Sequence, residues 1–362
     1  MIPVERAHLF ITALSDKGMK KGKHNEDRYA ISSFKLGDKD ETPALFAIVA
    51  DGIGGHLAGE VAAEMVVDYV SDAISQSDGE DPVATIREAI EGANQAVNRL
   101  SEEDERKQGM GATCVCAWVI GNRLYTGAVG DSRLYLMRGA SIRQLTTDHT
   151  WIQEALDKGV LTPEEARDHP NVHVIRQYIG AKTPPEVDFR LRDENDEPNK
   201  DLQGFSLLPG DRLLLCTDGL TDLVWDDEIL EIVRSAKTLK DAAKLLIDTA
   251  NQRGGHDNST VILLAVPEEG QKPKTKPDPL WWIVGGVIAF LIVAAALAAF
   301  IWYSVQPPVT PTPPASQVPV ATSTSVPSTP TLLPTPTPSP FLTPGATHTP
   351  WPTNPPEPTN TP

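Results

Sequence analysis

This 362-residue chain has few cysteines, no Lys or Arg after Lys276 and none of several common catalytic motifs. The three cysteines, Cys114, Cys116 and Cys216, are odd in number and sit in apolar runs, which argues against a disulfide framework. Every Lys and Arg lies at or before Lys276, so no basic patch or tail indicates nucleic-acid binding. The first 16 residues lack a basic start and a long apolar run, so we expect no N-terminal signal sequence.

Three classes of active site are also missing from the sequence. Residues six positions after the cysteines are Ile120, Asn122 and Asp222, so no Cys-x5-Arg phosphatase motif exists. Neither a phosphate-binding Gly-x4-Gly-Lys-Ser/Thr loop nor a His-Glu-x2-His zinc motif occurs. The net charge of −17 fits a protein that handles its substrate through bound metal rather than broad electrostatic attraction.

What the chain does have is an acidic residue beside each of three strand-like apolar runs. Asp51-Gly52 follows the apolar run that ends at Ala50, Asp218-Gly219 follows Leu213–Cys216, and Asp257 precedes Val261–Val266. A single Asp-Gly is usually a surface turn. Three carboxylates at strand ends predict convergence on hard metal ions, because such ions prefer oxygen ligands. Gly52 leaves room for its backbone carbonyl to approach an ion.

The pattern of elements predicts an α+β layered sandwich rather than alternating βαβ units. Strands are expected at 8–14, 28–34, near 187 and at 212–216, and helices at 60–75, 82–100, 226–235 and 239–252. Residues 113–145 read as short strands with turns at Gly121 and Gly139. The polar segment 147–180 reads as a helical insertion that covers a site.

The character of the sequence changes after Pro267, and we expect four regions: a catalytic domain at 1–267, a polar juxtamembrane linker at 268–279, a transmembrane helix at 280–305 and a disordered tail at 306–362. Residues 280–305 carry no charge and have aromatic residues near both ends, as membrane-spanning helices do. Lysines flank only the N-terminal side, so the positive-inside rule predicts a single-pass membrane protein with a cytoplasmic catalytic domain. The Pro/Thr/Ser-rich tail is expected to be extended and extracytoplasmic.

An ordered set of motifs resembles the metal-dependent PPM (type 2C) serine/threonine protein phosphatases, in the bacterial membrane-anchored form. The resemblance covers roughly residues 8–266, and its motifs are Asn25-Glu26-Asp27, Asp51-Gly52-Ile53-Gly54-Gly55-His56, Gly111-Ala112-Thr113, Gly130-Asp131-Ser132-Arg133, Thr217-Asp218-Gly219 and Asp257-Asn258. It implies a sandwich of two antiparallel sheets flanked by helices. It also implies hydrolysis of phosphoserine and phosphothreonine in cytoplasmic proteins by a water that bridges two Mn²⁺ or Mg²⁺ ions.

The resemblance assigns roles to particular residues. Asp51 would bridge both ions, the Gly52 carbonyl would bind one, Asp218 and Asp257 would complete the other site, and Glu26 would support the first. Asp131 would hold a third ion, and the 147–180 insertion matches the family's flap. Catalysis would therefore depend on Asp51, Asp218 and Asp257.

The sequence departs from the family where an arginine usually holds the substrate phosphate. Gly22 occupies that position, and its neighbours Lys21 and Lys23 are the candidates to bind phosphate instead, without the bidentate contact of arginine. Phosphoproteins, and through them a Ser/Thr kinase that the enzyme opposes, are the expected partners. Two other hypotheses stay open: a weak or inactive phosphoprotein-binding relative, and a membrane sensor with a phosphatase-like output domain.

Overall fold

The structure is a computed structural model that describes residues 1–268 except 23, 55–57 and 168. The strands in this part of the chain are β1 Ile2–Pro3, β2 Phe10–Asp16, β3 Arg28–Lys35, β4 Pro43–Ala50, β5 Gly52–Ile53, β6 Gly111–Ala112, β7 Cys114–Ile120, β8 Arg123–Val129, β9 Arg133–Arg138, β10 Ser141–Gln144, β11 Leu191–Arg192, β12 Pro198–Asn199, β13 Phe205–Ser206, β14 Arg212–Cys216 and β15 Ser259–Ala265. The helices are α1 Ala58–Gln76, α2 Pro82–Glu103, α3 Trp151–Asp157, α4 Pro163–Arg167, α5 Asp218–Thr221, α6 Asp226–Ser235 and α7 Leu239–Gln252, with 3₁₀ turns at Glu105–Lys107 and Lys200–Leu202.

Two antiparallel sheets form the centre of the fold. One has the strand order β1-β3-β4-β7-β8-β13 and the other β10-β9-β14-β15-β2. Two small pairs, β5 with β6 and β11 with β12, lie outside these sheets. The predicted α+β sandwich of two antiparallel sheets is therefore confirmed.

Strand β4 shows that its sheet is covered on both faces. Its residues Ala44 to Ala50 are all buried, and alternate side chains point to opposite faces of a strand. Phe46 and Ile48 join the apolar cluster that contains residues of α1 and α2, whereas Leu45 and Ala47 join the cluster between the two sheets. A strand buried on both faces reads as a continuous apolar run, which is how it appears in the sequence.

The helices pack on the outer faces of the sandwich. Helix α2 begins at Pro82 after Asp81, whose carboxylate accepts a hydrogen bond from the backbone N–H of Ala84. Helices α6 and α7 cover the other sheet through a cluster that includes Ile229, Leu246 and Leu263. The predicted helix ranges agree with the structure to within three residues.

Other predictions meet the structure with different results. The three cysteines are buried and free, as expected. The strand predicted near residue 187 is wrong, because only an isolated bridge between Ala128 and Asp188 forms there, before the short β11. Residues 147–180 contain α3 and α4, and α4 begins at Pro163.

The predicted membrane span, linker and tail fall outside the described residues, so they remain predictions. Across residues 1–268, gaps excepted, no helix is both long enough and apolar enough to cross a bilayer.

Candidate active site

The strand register brings the predicted acidic residues to one end of the sandwich. At the end of β14, Cys216 pairs with Arg133 at the start of β9 and with Val261 near the start of β15. Asp131, Asp218 and Asp257 stand just beyond these paired residues, so they share one edge of this sheet. In the other sheet, Ala50 at the end of β4 pairs with Arg28 at the start of β3, which places Asp51 beside the Asn25-Glu26-Asp27 segment.

The carboxylates at this end are buried, as in Asp27 and Asp131, or partly buried, and they repel one another. Burial raises the pKa of Asp51 well above its usual range, and the charges of Asp27, Asp218, Asp131 and Asp257 raise it further. Burial, followed by repulsion from Asp257, likewise raises the pKa of Asp218. Together with the strand register, these shifts indicate that the four predicted metal-binding aspartates lie close together.

Asp131 occupies the same cluster and has a cation near it. Burial and repulsion from Asp218 and Asp148 raise its pKa well above the usual range, while Arg133 opposes the shift. The Arg133 guanidinium is already engaged by Asp148, with N–O distances of 3.1, 3.0 and 2.7 Å. Arg133 therefore compensates Asp148 first, and much of the negative charge of the cluster is left for another cation.

Several observations fit divalent cations in this cluster. Oδ1 of Asp218 is buried and has no hydrogen-bond partner among the described residues. An unsatisfied buried oxygen of this kind is costly unless an ion or water completes it. The side chains of Asp51, Asp131, Asp218 and Asp257 all offer oxygen, which is the ligand atom that Mn²⁺ and Mg²⁺ prefer.

Gly52 is required by close backbone packing. A Cβ at this position would collide with the backbone of Gly59 and would lie 2.7 Å from the backbone oxygen of Glu26. Gly59 in turn leaves room for Glu26, because a Cβ on Gly59 would come 3.2 Å from the Glu26 Cδ. Gly52, Glu26 and the start of α1 therefore meet at one point, and the metal-binding roles of Gly52 and Glu26 stay predictions.

Backbone hydrogen bonds to Thr113 hold Asp51 in position. The Asp51 N–H donates to Thr113 Oγ1 at 2.9 Å, and the Thr113 N–H donates to the Asp51 carbonyl at 2.9 Å. Thr113 Oγ1 is also 2.7 Å from Ser132 Oγ. Residues of two further motifs, Gly111-Ala112-Thr113 and Gly130-Asp131-Ser132-Arg133, thus support the aspartates at the site.

Asn258 connects the N-terminal loop to the last strand. Its Oδ1 accepts a hydrogen bond from the Glu26 N–H at 2.8 Å, and its Nδ2 donates to the carbonyls of Lys17 and His24 at 2.9 and 3.0 Å. The loop that carries Glu26 is therefore fixed against the residue that follows Asp257.

Asp27 belongs to the Asn25-Glu26-Asp27 motif but has no predicted role of its own. Its Oδ2 accepts hydrogen bonds from Thr217 Oγ1 at 2.9 Å and Thr260 Oγ1 at 2.6 Å. Burial, opposed by these two bonds, raises its pKa to about 7. The acidic motif and the two threonines beside Asp218 and Ser259 were the available signals, but only the fold shows that they meet.

Asp222 and His173 are two further residues that the sequence analysis missed. Nδ1 of His173, in the insertion, lies 3.4 Å from Oδ2 of Asp222. Burial and repulsion from Asp218 raise the pKa of Asp222 to about 6. His173 is one of three histidines in the polar insertion, and no spacing pattern distinguishes it, so sequence alone gave no reason to select it.

Of the two candidate phosphate-binding residues, only Lys21 is among the residues that the structure describes. Lys21 is exposed in a turn that Gly22 forms with a φ of +78°. Lys23 falls outside the described residues, as does His56. The roles of Lys21 and Lys23 stay predictions.

Comparison with known proteins decides the family. The Protein phosphatase 2C family model matches residues 16–257. The chain belongs to the protein phosphatase 2C family. This result confirms the predicted family and enzyme class: the chain is a protein serine/threonine phosphatase.

Individual relatives support this assignment. Over 226 residues the chain is 40% identical to protein phosphatase PhpP of Streptococcus pneumoniae, a match that covers 61% of this chain and 86% of that protein. The S. agalactiae serine/threonine phosphatase structure has a TM-score of 0.62 and 32% identity, covering 71% of this chain and 99% of that one. The catalytic domain of PstP, solved in complex with two manganese ions, has a TM-score of 0.58 and 32% identity, covering 72% and 99%.

Proposed function

We propose that this chain is a metal-dependent phosphatase that removes phosphate from phosphoserine and phosphothreonine of cytoplasmic proteins with the help of Mn²⁺ or Mg²⁺. The observation that carries the proposal is the set of buried and partly buried, mutually repelling aspartates at one end of the sandwich. Oδ1 of Asp218 has no hydrogen-bond partner among the described residues. A folded protein retains such a cluster at a cost in stability, and divalent cations would offset that cost.

The residues that would hold the ions are Asp51, the Gly52 carbonyl, Asp218, Asp257 and Glu26, with Asp131 at a third position. Bound divalent ions would supply Lewis-acid stabilisation of phosphoryl oxygens and would lower the pKa of a water. Arg133, whose charge opposes the pKa shift of Asp131, is already paired with Asp148.

The chain itself would contribute rigid placement. Thr113 fixes the backbone of Asp51, and Asp27 fixes Thr217, the residue immediately before Asp218. Held in this way, the carboxylates need little rearrangement when charge develops on the phosphoryl group. Lys21 and Lys23 would bind the substrate phosphate as point charges, more weakly than an arginine fork.

The experiment is a phosphate-release assay of the full-length protein on a phosphothreonine peptide and the matching phosphotyrosine peptide. We expect release from the phosphothreonine peptide with Mn²⁺ or Mg²⁺ and none in EDTA. An equal rate in EDTA would contradict the metal-dependent mechanism, and equal turnover of the phosphotyrosine peptide would contradict the substrate class.

We also propose that residues 280–305 anchor the enzyme in the cell membrane with the catalytic domain in the cytoplasm. The uncharged run and the lysines on its N-terminal side alone support this orientation. A cysteine at position 347 should react with an impermeant thiol reagent in intact cells, whereas one at position 271 should not. The native cysteines are buried and give little background. Labelling at 271 and not at 347 would reverse the topology.

We expect the enzyme to oppose a Ser/Thr protein kinase, because every phosphate group that it removes must first have been added to a protein by a kinase. Deleting the gene should raise the phosphothreonine content of cytoplasmic proteins. An unchanged phosphoprotein profile would count against this role.

A further inference from the structure

His149 makes two hydrogen bonds to Gly130, the residue directly before Asp131. Its backbone N–H donates to the Gly130 carbonyl at 2.9 Å, and its ring Nδ1 accepts a hydrogen bond from the Gly130 N–H at 3.2 Å. Gly130 has a φ of +101°, and a Cβ there would lie 2.6 Å from Thr113 Cγ2. One residue therefore satisfies both backbone polar groups of a turn that requires glycine.

The same turn is fastened on its other side. Ser132 Oγ lies 2.7 Å from Thr113 Oγ1, which also accepts the hydrogen bond from the Asp51 N–H. Asp131 thus lies between two residues that are each held by another segment of the chain. The direction of its carboxylate towards the acidic cluster depends on how these two neighbours are held.

The ring of His149 has a different partner on each nitrogen. Because the Gly130 N–H is a donor, Nδ1 is the acceptor and the ring proton lies on Nε2. Nε2 faces Asp188 at 3.7 Å from Oδ2, and the two side chains are only 6% and 7% exposed. A carboxylate on this side favours the proton on Nε2 and so leaves Nδ1 able to accept.

Asp188 is itself fixed by both its side chain and its backbone. Arg190 donates from Nε to Oδ1 at 2.8 Å and from Nη2 to Oδ2 at 2.7 Å. Burial opposes ionisation of Asp188, but contacts with His149 and Arg190 hold its pKa below the usual range. Two backbone hydrogen bonds, at 2.9 and 3.0 Å, pair Asp188 with Ala128, two residues before Gly130. The chain of contacts therefore begins and ends beside the end of β8.

Filling space is the simplest alternative role for a buried histidine. A space-filling side chain needs the right volume but no particular polar atom. The hydrogen bond between Gly130 and His149 is buried, and a buried N–H that loses its acceptor is costly, so loss of Nδ1 would favour a shift of the turn. The two roles therefore differ in what they require at the position of Nδ1.

We propose that His149 is a positioning residue for Asp131 and that Asp188 holds the His149 ring in the form that does this. The inference rests on the proposed function in that Asp131 is a predicted metal ligand. Residues that orient metal ligands typically contribute about 10–100-fold to metal affinity. Loss of the Nδ1 acceptor should therefore weaken the ion that Asp131 binds.

The test compares His149→Asn with His149→Leu in the full-length protein. The two new side chains have the same number of heavy atoms and the same branching, so they lose the same packing. Asparagine can place its Oδ1 near the position of Nδ1 and accept from Gly130, whereas leucine has no acceptor. In a Mn²⁺ titration followed by electron paramagnetic resonance, we expect His149→Leu to weaken the weakest Mn²⁺ site at least about tenfold. His149→Asn should keep most of the wild-type affinity.

Hydrogen exchange of residues 129–133 in EDTA tests the positioning without any metal. Exchange should be faster than wild type in His149→Leu and close to wild type in His149→Asn. The matched control is His8→Leu at a partly buried histidine beside Gly121, at the opposite end of β7 from Thr113. This control should change neither the exchange nor the Mn²⁺ affinity.

Equal exchange in His149→Asn and His149→Leu, whether fast or slow, would overturn the proposal. If His149→Leu does not fold, Asp188→Asn carries the test, because it removes the charge that favours the proton on Nε2. Exchange of residues 129–133 should then be faster in Asp188→Asn, and wild-type exchange there would overturn the proposal. A wild type that binds no Mn²⁺ would contradict the proposed function, whereas the exchange in EDTA reports on the positioning of Asp131 separately.

Discussion

The layer between the two sheets and the acidic end of the sandwich belong to the same strands but follow opposite rules. Between the sheets, residues such as Leu45, Leu215 and Ile262 are fully buried and apolar. At one end of the sandwich, the same strands adjoin Asp51, Asp218 and Asp257. There, burial and like charge raise the pKa of carboxyl groups rather than lower it.

The difference shows that one region of the domain provides stability and the other provides the candidate active site. Burial of apolar side chains drives folding and is proportional to the area removed from water. Burial of neighbouring carboxylates opposes folding unless cations compensate the charge. We infer that the sandwich layer stabilises the domain and that the acidic end uses part of that stability to hold a site in advance of its ligands.

Exchanging a charged oxygen at the acidic end should have the largest effect on activity. Asp51→Asn removes one negative charge from the cluster while it preserves side-chain volume. We expect turnover of a phosphothreonine peptide to fall by at least about 10²-fold, the scale for loss of one preorganised electrostatic group. The melting temperature of the metal-free protein should rise, because repulsion is relieved.

The matched control is Asp68→Asn, which removes the same charge from an exposed position on α1. It should change neither turnover nor melting temperature measurably. Wild-type turnover in Asp51→Asn would contradict the assigned role.

In the sandwich layer, truncation should act on stability instead. Leu45 is fully buried between the sheets, so Leu45→Ala should cost about 2–5 kcal/mol of unfolding free energy, measured by urea titration. Leu245→Ala removes the same atoms from a side chain that is 44% exposed and should cost well below half of that. Equal losses of unfolding free energy in the two variants would contradict the stabilising role of the layer between the sheets.

The pH dependence of the metal-free protein should reveal the acidic end directly. The folded-state pKa of Asp27 is raised from 3.8 to about 7, so its favourable contribution is present below about pH 4 and is lost as pH rises through about 7. In EDTA, the melting temperature should therefore be higher at pH 5 than at pH 8. Asp27→Asn should flatten this slope, and a melting temperature that rises from pH 5 to pH 8 would contradict the account.

The smallest effect is expected at the edge of the site. Lys21→Ala should raise KM severalfold with little change in kcat, because a point-charge contact to phosphate contributes mainly ground-state binding. Lys20→Ala, one residue earlier and also exposed, is the control. If KM is unchanged in Lys21→Ala and in the Lys21→Ala, Lys23→Ala double variant, neither lysine binds the phosphate.

Sequence reasoning reached the layers of the fold and the aspartates because both depend on local patterns. Apolar runs predicted the strands, and an acidic residue after a buried run marked Asp51 and Asp218. The contacts of Asp27 with Thr217 and Thr260 join ends of the two different sheets, 190 and 233 residues apart in sequence, and no local pattern encodes such contacts. The strand predicted near residue 187 failed because the apolar residues Val187 and Phe189 pack under α2 without extending a sheet.

His173 shows the same limit at the insertion. Its neighbours in the chain are polar or apolar without a repeating period, so no spacing pattern marked it. Only the fold brings its Nδ1 to within 3.4 Å of Oδ2 of Asp222.

The most direct test of the central claim is a thermal denaturation of the metal-free protein with increasing Mn²⁺. If the buried carboxylates form a cation site, Mn²⁺ at about 100 times its dissociation constant should stabilise the wild type by about 2.7 kcal/mol per site and raise the melting temperature accordingly. The same Mn²⁺ should raise that of Asp51→Asn much less. A wild-type melting temperature that does not respond to Mn²⁺, or an equal rise in Asp51→Asn, would contradict the account.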